Sequence, residues 1–187
     1  FRQTDPLFVF DLSDPANPRI TGELKVPGFS SYLHPISDTV ILGVGSDVKD
    51  VYVKDKNGNE VVISQQTGGI KLSLFDVSNM GKPREIDSLV IGDRGYTELQ
   101  YNHKAAMFKE NQSLLAFPAT LSSYDDKENW EGALAVSYSG NHLTELSRIT
   151  AAQAEEGYYG GFGQRLVYIG DTVYYAQGHI IRSFDSH

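Results

Sequence analysis

The sequence contains no cysteine. That excludes disulfides, thiolate metal sites and cysteine nucleophiles together, and it leaves the redox compartment open, since a chain without thiols is at ease in either. Basic residues are in the minority, with 16 Lys and Arg against 24 Asp and Glu and a formal net charge of −8. Phosphate backbones are held by concentrated basic faces, and none is present here, so nucleic acid is excluded as a partner. An acidic surface suits cations or basic partners, although solubility alone explains it equally well. No apolar run approaches the ~20 residues that a membrane-spanning helix requires. No signal peptide opens the chain either, and it starts on Phe1 rather than Met. The expectation is a cut or processed N-terminus, with any targeting information upstream.

What remains is globular. The 187 residues are 40% hydrophobic and 21% charged, enough for one domain with a sizeable core. Eighteen Gly, 11 Tyr and 9 Phe favour an all-β protein, because aromatics suit pleated surfaces and glycines serve turns. One phrase is repeated. Phe10-Asp11-Leu12-Ser13, followed by Asp14 to Arg19 with prolines at 15 and 18, returns as Phe75-Asp76-Val77-Ser78, followed by Asn79 to Arg84 with Pro83. A shortened version, Phe184-Asp185-Ser186, closes the chain, and Ile36-Ser37-Asp38-Thr39-Val40 is echoed in Ile169-Gly170-Asp171-Thr172-Val173.

Strand–turn–strand repetition of this kind points to a modular β architecture. The alternating runs read as four-stranded antiparallel units, the logic of a β-propeller blade, with strands a to d from the channel outward. The chain then reads c–d over residues 1–28, a complete blade over 29–92, another over 93–150, and a final a-b-c over 151–187. The inner strand of the third unit is expected at Gln100 to Phe108, and Ala151 to Glu156 as a helical turn. About three blades are covered, whereas closed propellers have roughly four to eight, so a larger ring with upstream blades is expected. The last three strands would accept a d strand from another segment, and the open ends would expose strand edges.

The phrase Phe-Asp-Leu-Ser-Asp-Pro-Ala-Asn-Pro-Arg, with the alternating strand and Pro27-Gly28 after it, resembles the C-terminal β-propeller domain of secreted bacterial and archaeal proteins, a family distantly similar to WD40 and LVIVD repeats. The likeness runs over nearly the whole chain, strongest at 7–45 and 70–118. It implies a propeller in a secreted or cell-surface protein. It implies no reaction, and so no catalytic residues.

Loop lengths suggest where a ligand would bind. The a–b and c–d turns are short, whereas Ser46 to Gly69, Gly92 to Leu99, Leu121 to Glu131 and Ala151 to Gln164 read as long connections on the opposite face. Long loops on a rigid scaffold are where binding residues gather. Tyr32 and His34 rhyme with Tyr101 and His103, which would set both histidines at the beginning of inner strands near the channel mouth, with Arg165 comparable in the last unit. Repeated histidines suit a metal or an acidic ligand, and equally a structural bond to a neighbouring blade. Trp130, beside Tyr124, Asp125, Asp126 and Glu128, and the glycine-hinged Tyr158 and Tyr159 offer aromatic contact with a protein, peptide or glycan; a solvated charge run is the other reading of the first loop, and inward packing between blades that of the second. Asp55 to Glu60 contains Asn57-Gly58 and reads as a hairpin turn, with a bound cation such as calcium as the alternative. Asp11, Asp76 and Asp185 read as scaffold acids bonding loop backbone. No cofactor is implied. The leading function is an extracellular binding module; a metal-assisted hydrolase using His34 and His103, and a purely structural ring segment, are the alternatives. No nucleophile elbow, phosphate loop or His-Glu-x-x-His spacing supports an enzyme.

Overall fold

The computed structural model describes residues 6–125, 127, 129–150 and 163–185. Four antiparallel sheets follow one another along the chain. The first pairs β1 (Leu7–Asp11) with β2 (Arg19–Leu24). The second runs β3 (Phe29–Pro35), β4 (Val40–Lys54), β5 (Glu60–Asp76), β6 (Arg84–Ile91), each strand beside the next. The third contains β7 (Arg94–Tyr96), β8 (Met107–Lys109), β9 (Leu114–Ser122), β10 (Asn129–Ser137) and β11 (Thr144–Thr150). The fourth is β12 (Arg165–Ile169), β13 (Thr172–Gln177) and β14 (Ile180–Asp185). The chain is therefore all-β and built from propeller blades, and among the described residues the sheets form no closed barrel. No helix among the described residues is long and apolar enough to cross a membrane.

The middle strands are buried on both faces, which is why their sequences run apolar rather than alternating. Ile70 to Phe75 is continuously buried in β5, and Leu114 to Ala119 in β9. Sheets two and three clamp Leu42, Ile70, Leu72 and Leu74 against Leu115, Phe117 and Leu134. A smaller core of Met107, Leu114, Ala133, Leu166, Val173 and Tyr175 joins sheets three and four. Each such fully buried side chain contributes about 1.5–3 kcal/mol relative to exposure.

The repeated phrase acquires a geometry. Between strands c and d the register slips at Val9/Phe10, at Leu74/Phe75 and at Ala135/Val136. The outer strand thus carries one extra residue at the same place in three sheets: Thr21, Ile86 and Leu146. A bulge of this kind bends and twists the strand, here on the outer rim of each blade. Just beyond it, Asp76 Oδ1 accepts the Ser78 amide at 2.9 Å, and Asp76 Oδ2 is held by Arg84 at 2.7 Å. Asp11 does the same with Ser13 at 2.9 Å and Arg19 at 3.2 Å. In the third sheet Ser137 takes the acid's place, its Oγ accepting the Ser139 amide. The side chain of Asp185 lies outside the described residues.

The inner strand of the third sheet departs from the expectation. Gln100 to Ala106 is not strand. The a position is filled by two short pieces, β7 and β8, both paired with β9. Between them come 3-10 turns at Glu98–Gln100 and His103–Ala105. Thr97 and Asn102 start these turns by accepting the amides of Leu99 and Lys104, which diverts the chain from the ladder.

Candidate functional site

The two ends of the blades differ, though not quite as loop lengths suggested. At the short-turn end the turns are bonded to each other: the Val77 amide donates to the Thr39 carbonyl, and the Tyr138 amide to Ser113. At the other end Ser46 to Gly69 is no irregular loop. It is the continuation of β4 and β5, paired as far as Lys54 and Glu60, so an arm projects beyond the sheet. Asp55 organises its tip, its carboxylate accepting the amides of Asn57 and Asn59, which hold its pKa below the ordinary carboxylate value. The connection after β6 is only Gly92-Asp93, because the length expected there lies within the interrupted inner strand.

Trp130 is the second residue of β10, opposite Leu121. Its indole Nε1 donates to Thr150 Oγ1 at 3.1 Å, and the Arg148 guanidinium lies over the ring at 5.7 Å. Gly132 makes this possible, for a Cβ there would overlap the Ile149 carbonyl and press on the indole. Around the ring opens a cleft of about 710 Å³, lined by Asp93, Ser122, Lys127, Asn129 and Arg148 among others. Its cations are already engaged, Lys127 by Asp125 at 2.7 Å and Arg148 by Glu145. Beside it, Tyr124 lies within 5.6 Å of Lys49 on the arm and 5.4 Å of Arg94 on β7. Spacing gave no sign of this pairing, since the residues come from three elements.

The other expected residues scatter. Tyr32 and His34 sit on β3, and His34 pairs with Leu42, close to the short a–b turn. His34 is therefore at the short-turn end, not at a channel mouth under the long connections. The Tyr32 hydroxyl meets His34 Nδ1 at 3.0 Å, and the imidazole stacks on Phe108 at 3.7 Å and 9°. His103 is exposed on its 3-10 turn rather than on an inner strand, so the rhyme between the two histidines is one of sequence only. Tyr101 is exposed and tilts against Tyr96 at 5.7 Å. Burial, aided by the bond to Tyr101, pushes the Tyr96 hydroxyl up to about 12.

Arg165 is committed to the scaffold. Its guanidinium grips Glu98 through two bonds of 2.9 Å, and Asn102 Nδ2 adds a third at 2.6 Å. These partners hold the buried Glu98 carboxyl below its ordinary pKa. Next to it Gln164 links the Tyr175 hydroxyl to Glu131. From the same excursion Gln100 Nε2 donates to Gly45 O at 2.9 Å and Ser46 Oγ at 3.0 Å. Sequence reasoning missed Glu98 and Gln100, whose only local signal is the Thr97 cap before them. Tyr158 and Tyr159 lie outside the described residues, as do Asp126, Glu128 and the segment read as a helical turn. Among the described residues no three His, Asp or Glu side chains gather as a metal-ligand set.

Comparisons with known proteins agree with the architecture. An uncharacterised protein of Archaeoglobus fulgidus is 40% identical over 124 residues, covering 66% of this chain and 17% of its own length. An uncharacterised protein of Methanocaldococcus jannaschii is 32% identical over 124 residues, with the same coverage of both chains. The matched region is thus a small part of these archaeal relatives. No solved structure matches. The model of the beta propeller domain family covers residues 1–187, and the chain belongs to that family.

Proposed function

We propose that this propeller segment, a general interaction or structural module, binds a ligand on the end that bears the β4–β5 arm, with Trp130 at the centre of the site. The observation that carries the reading is the cleft of about 710 Å³ around an indole framed by polar side chains. With Lys127 and Arg148 paired to neighbouring acids, the cleft offers an apolar face, hydrogen-bonding groups and the Asp93 carboxylate, but among the described residues no free cation. That combination suits a glycan or a neutral stretch of peptide. Tyr158 and Tyr159 follow β11 in the chain and are candidates for the same contact.

Trp130 is the sole tryptophan, so its emission reports on the site directly. Titration with a panel of neutral oligosaccharides and capped peptides should give a saturable change in that emission. Tyr158→Ala and Tyr159→Ala, read by the same emission, and Trp130→Ala, read by calorimetry because it removes the reporting indole, should weaken the corresponding binding about tenfold, with thermal stability of the two tyrosine variants preserved. A panel that leaves the emission unchanged throughout would sink the reading.

The resemblance to propellers of secreted proteins supports an extracellular or cell-surface setting, which protease shaving of intact cells would test. Further blades of the same protein are the proposed neighbours of both end sheets. Phe10 is 52% exposed, whereas its repeat equivalent Phe75, flanked by a preceding sheet, is 1% exposed.

A further inference from the structure

A second pocket lies at the opposite end, in the notch between the second and third sheets. It measures about 290 Å³ and is lined by His34 and Ser37 from one sheet and by Glu110, Ser113, Tyr138 and Asn141 from the next. Several polar groups open onto this notch without a partner inside the protein. Tyr138 is 8% exposed as a residue, and its hydroxyl, which makes no hydrogen bond within the protein, opens onto the notch. His34 has Nδ1 engaged by Tyr32, leaving Nε2 open. The Glu110 carboxylate has neither hydrogen bond nor ion pair, and the nearby cation Lys109 is taken by Asp171 at 3.1 Å and by the Tyr168 ring at 5.5 Å.

The backbone is also strained here. Among the described residues the non-glycines with positive φ are Ser113, at 50°, and Asn141, at 63°, and both line this pocket. Such residues cluster where the surroundings over-determine a geometry, often at binding sites. Phe108, which does not itself line the notch, holds both rings in place: His34 stacks on it, and Tyr138 tilts against it at 60° with ring centroids 6.4 Å apart. Burial keeps the His34 imidazole below its ordinary pKa, so it is neutral at neutral pH, while the negative field of Glu110 reaches both His34 and Tyr138.

We propose that this notch is a binding site for a primary ammonium group, either a free alkylamine or the end of a lysine side chain on a peptide. One unpaired carboxylate and a phenol oxygen able to accept, side by side in a notch without a cation of its own, are the elements of ammonium recognition. No lysine or arginine lines the notch, and Glu110 would repel an anion. The pocket has room for a slender chain and little more. The site stands apart from the Trp130 cleft and survives or fails independently of it.

The test is a titration of the 187-residue chain with n-butylammonium and, separately, with a capped tripeptide carrying a central lysine, read from imidazole resonances. Either probe should shift the His34 ring in a saturable manner in the millimolar range, leaving His103 and His142 unmoved. Butyrate and n-butanol should not. Glu110→Gln should weaken binding about tenfold, and Tyr138→Phe, which keeps the ring, about threefold. Saturation by the free amine assigns the site to small amines, and saturation by the peptide alone assigns it to a basic peptide. Glu110 is exposed, so its variant should melt like the parent. Absence of saturable shifts up to about 100 mM, equal binding of butyrate, or undiminished binding by Glu110→Gln overturns the proposal.

Discussion

Asp11 and Asp76 each direct one carboxylate oxygen at a serine amide two residues on and the other at an arginine eight residues on. The Asp76 carboxyl is held at about 2, against an ordinary 3.8, chiefly by its bonds to Ser78 and then by Arg84. A carboxyl whose folded pKa is depressed contributes stability that is complete above its unfolded value and is lost as pH falls through the folded one. Asp76→Asn should therefore lower the melting temperature at pH 6, and the gap to the parent should close as pH falls from about 4 to about 2. A pH series of melting curves checks this; a gap constant across that window would contradict it. The scaffold role of these acids was legible because spacing alone prescribes an Asp two residues before a turn amide. Arg165 was not legible. Its partner Glu98 lies 67 residues earlier, so nothing nearby in the sequence distinguishes an arginine bound for an ion pair from one facing a ligand.

At the scale of elements, the arm formed by β4 and β5 is the clearest departure from a plain blade. Tyr52, Val53, Val61 and Ile63 are all exposed on it, so it draws little stability from burial. Joining Asp50 to Gln65 through Asn-Gly, in place of residues 51–64, keeps the hydrogen bond between those two side chains and supplies a favoured two-residue turn. The shortened protein should melt within about 3 °C of the parent. A larger loss in a thermal scan would show that the arm packs on something that its exposed side chains conceal. The arm's turn was readable from Asn57-Gly58, but its continuity with the blade strands was not, because the bulges at Ser46/Val48 and Val51/Tyr52 break the alternation. The interrupted inner strand escaped for a different reason. Gln100 to Phe108 carries enough aromatic and apolar residues to pass for a strand, and only the capping side chains of Thr97 and Asn102 announce the detour. Trp130 drew notice as a lone indole in a loop; that it is the second residue of a strand and flanks a cleft is a product of pairing with β9.

On the scale of the whole molecule, the two end sheets present apolar faces. Phe8, Phe10, Leu12 and Ile20 are exposed at one end, and Val167, Ile169 and Ile181 at the other. Faces of this kind, next to open strand edges, drive association. The 187-residue chain should scatter light increasingly with concentration, and Phe10→Glu combined with Ile181→Lys should lower its apparent mass; a concentration-independent monomer in the parent would refute this. The interior sheets are joined in another way. The 3-10 excursion between β7 and β8 reaches backward to Gly45 and Ser46 through Gln100, and forward to Arg165 through Glu98. One segment thus bolts three consecutive sheets together, while among the described residues the first sheet has no such bolt. Hydrogen exchange should accordingly find a single cooperative unit from β3 to β14, its slowest amides sharing one opening energy, with β1 and β2 opening separately. The ten residues from Thr97 to Ala106 that interrupt an otherwise regular blade would then govern how much of the protein unfolds at once.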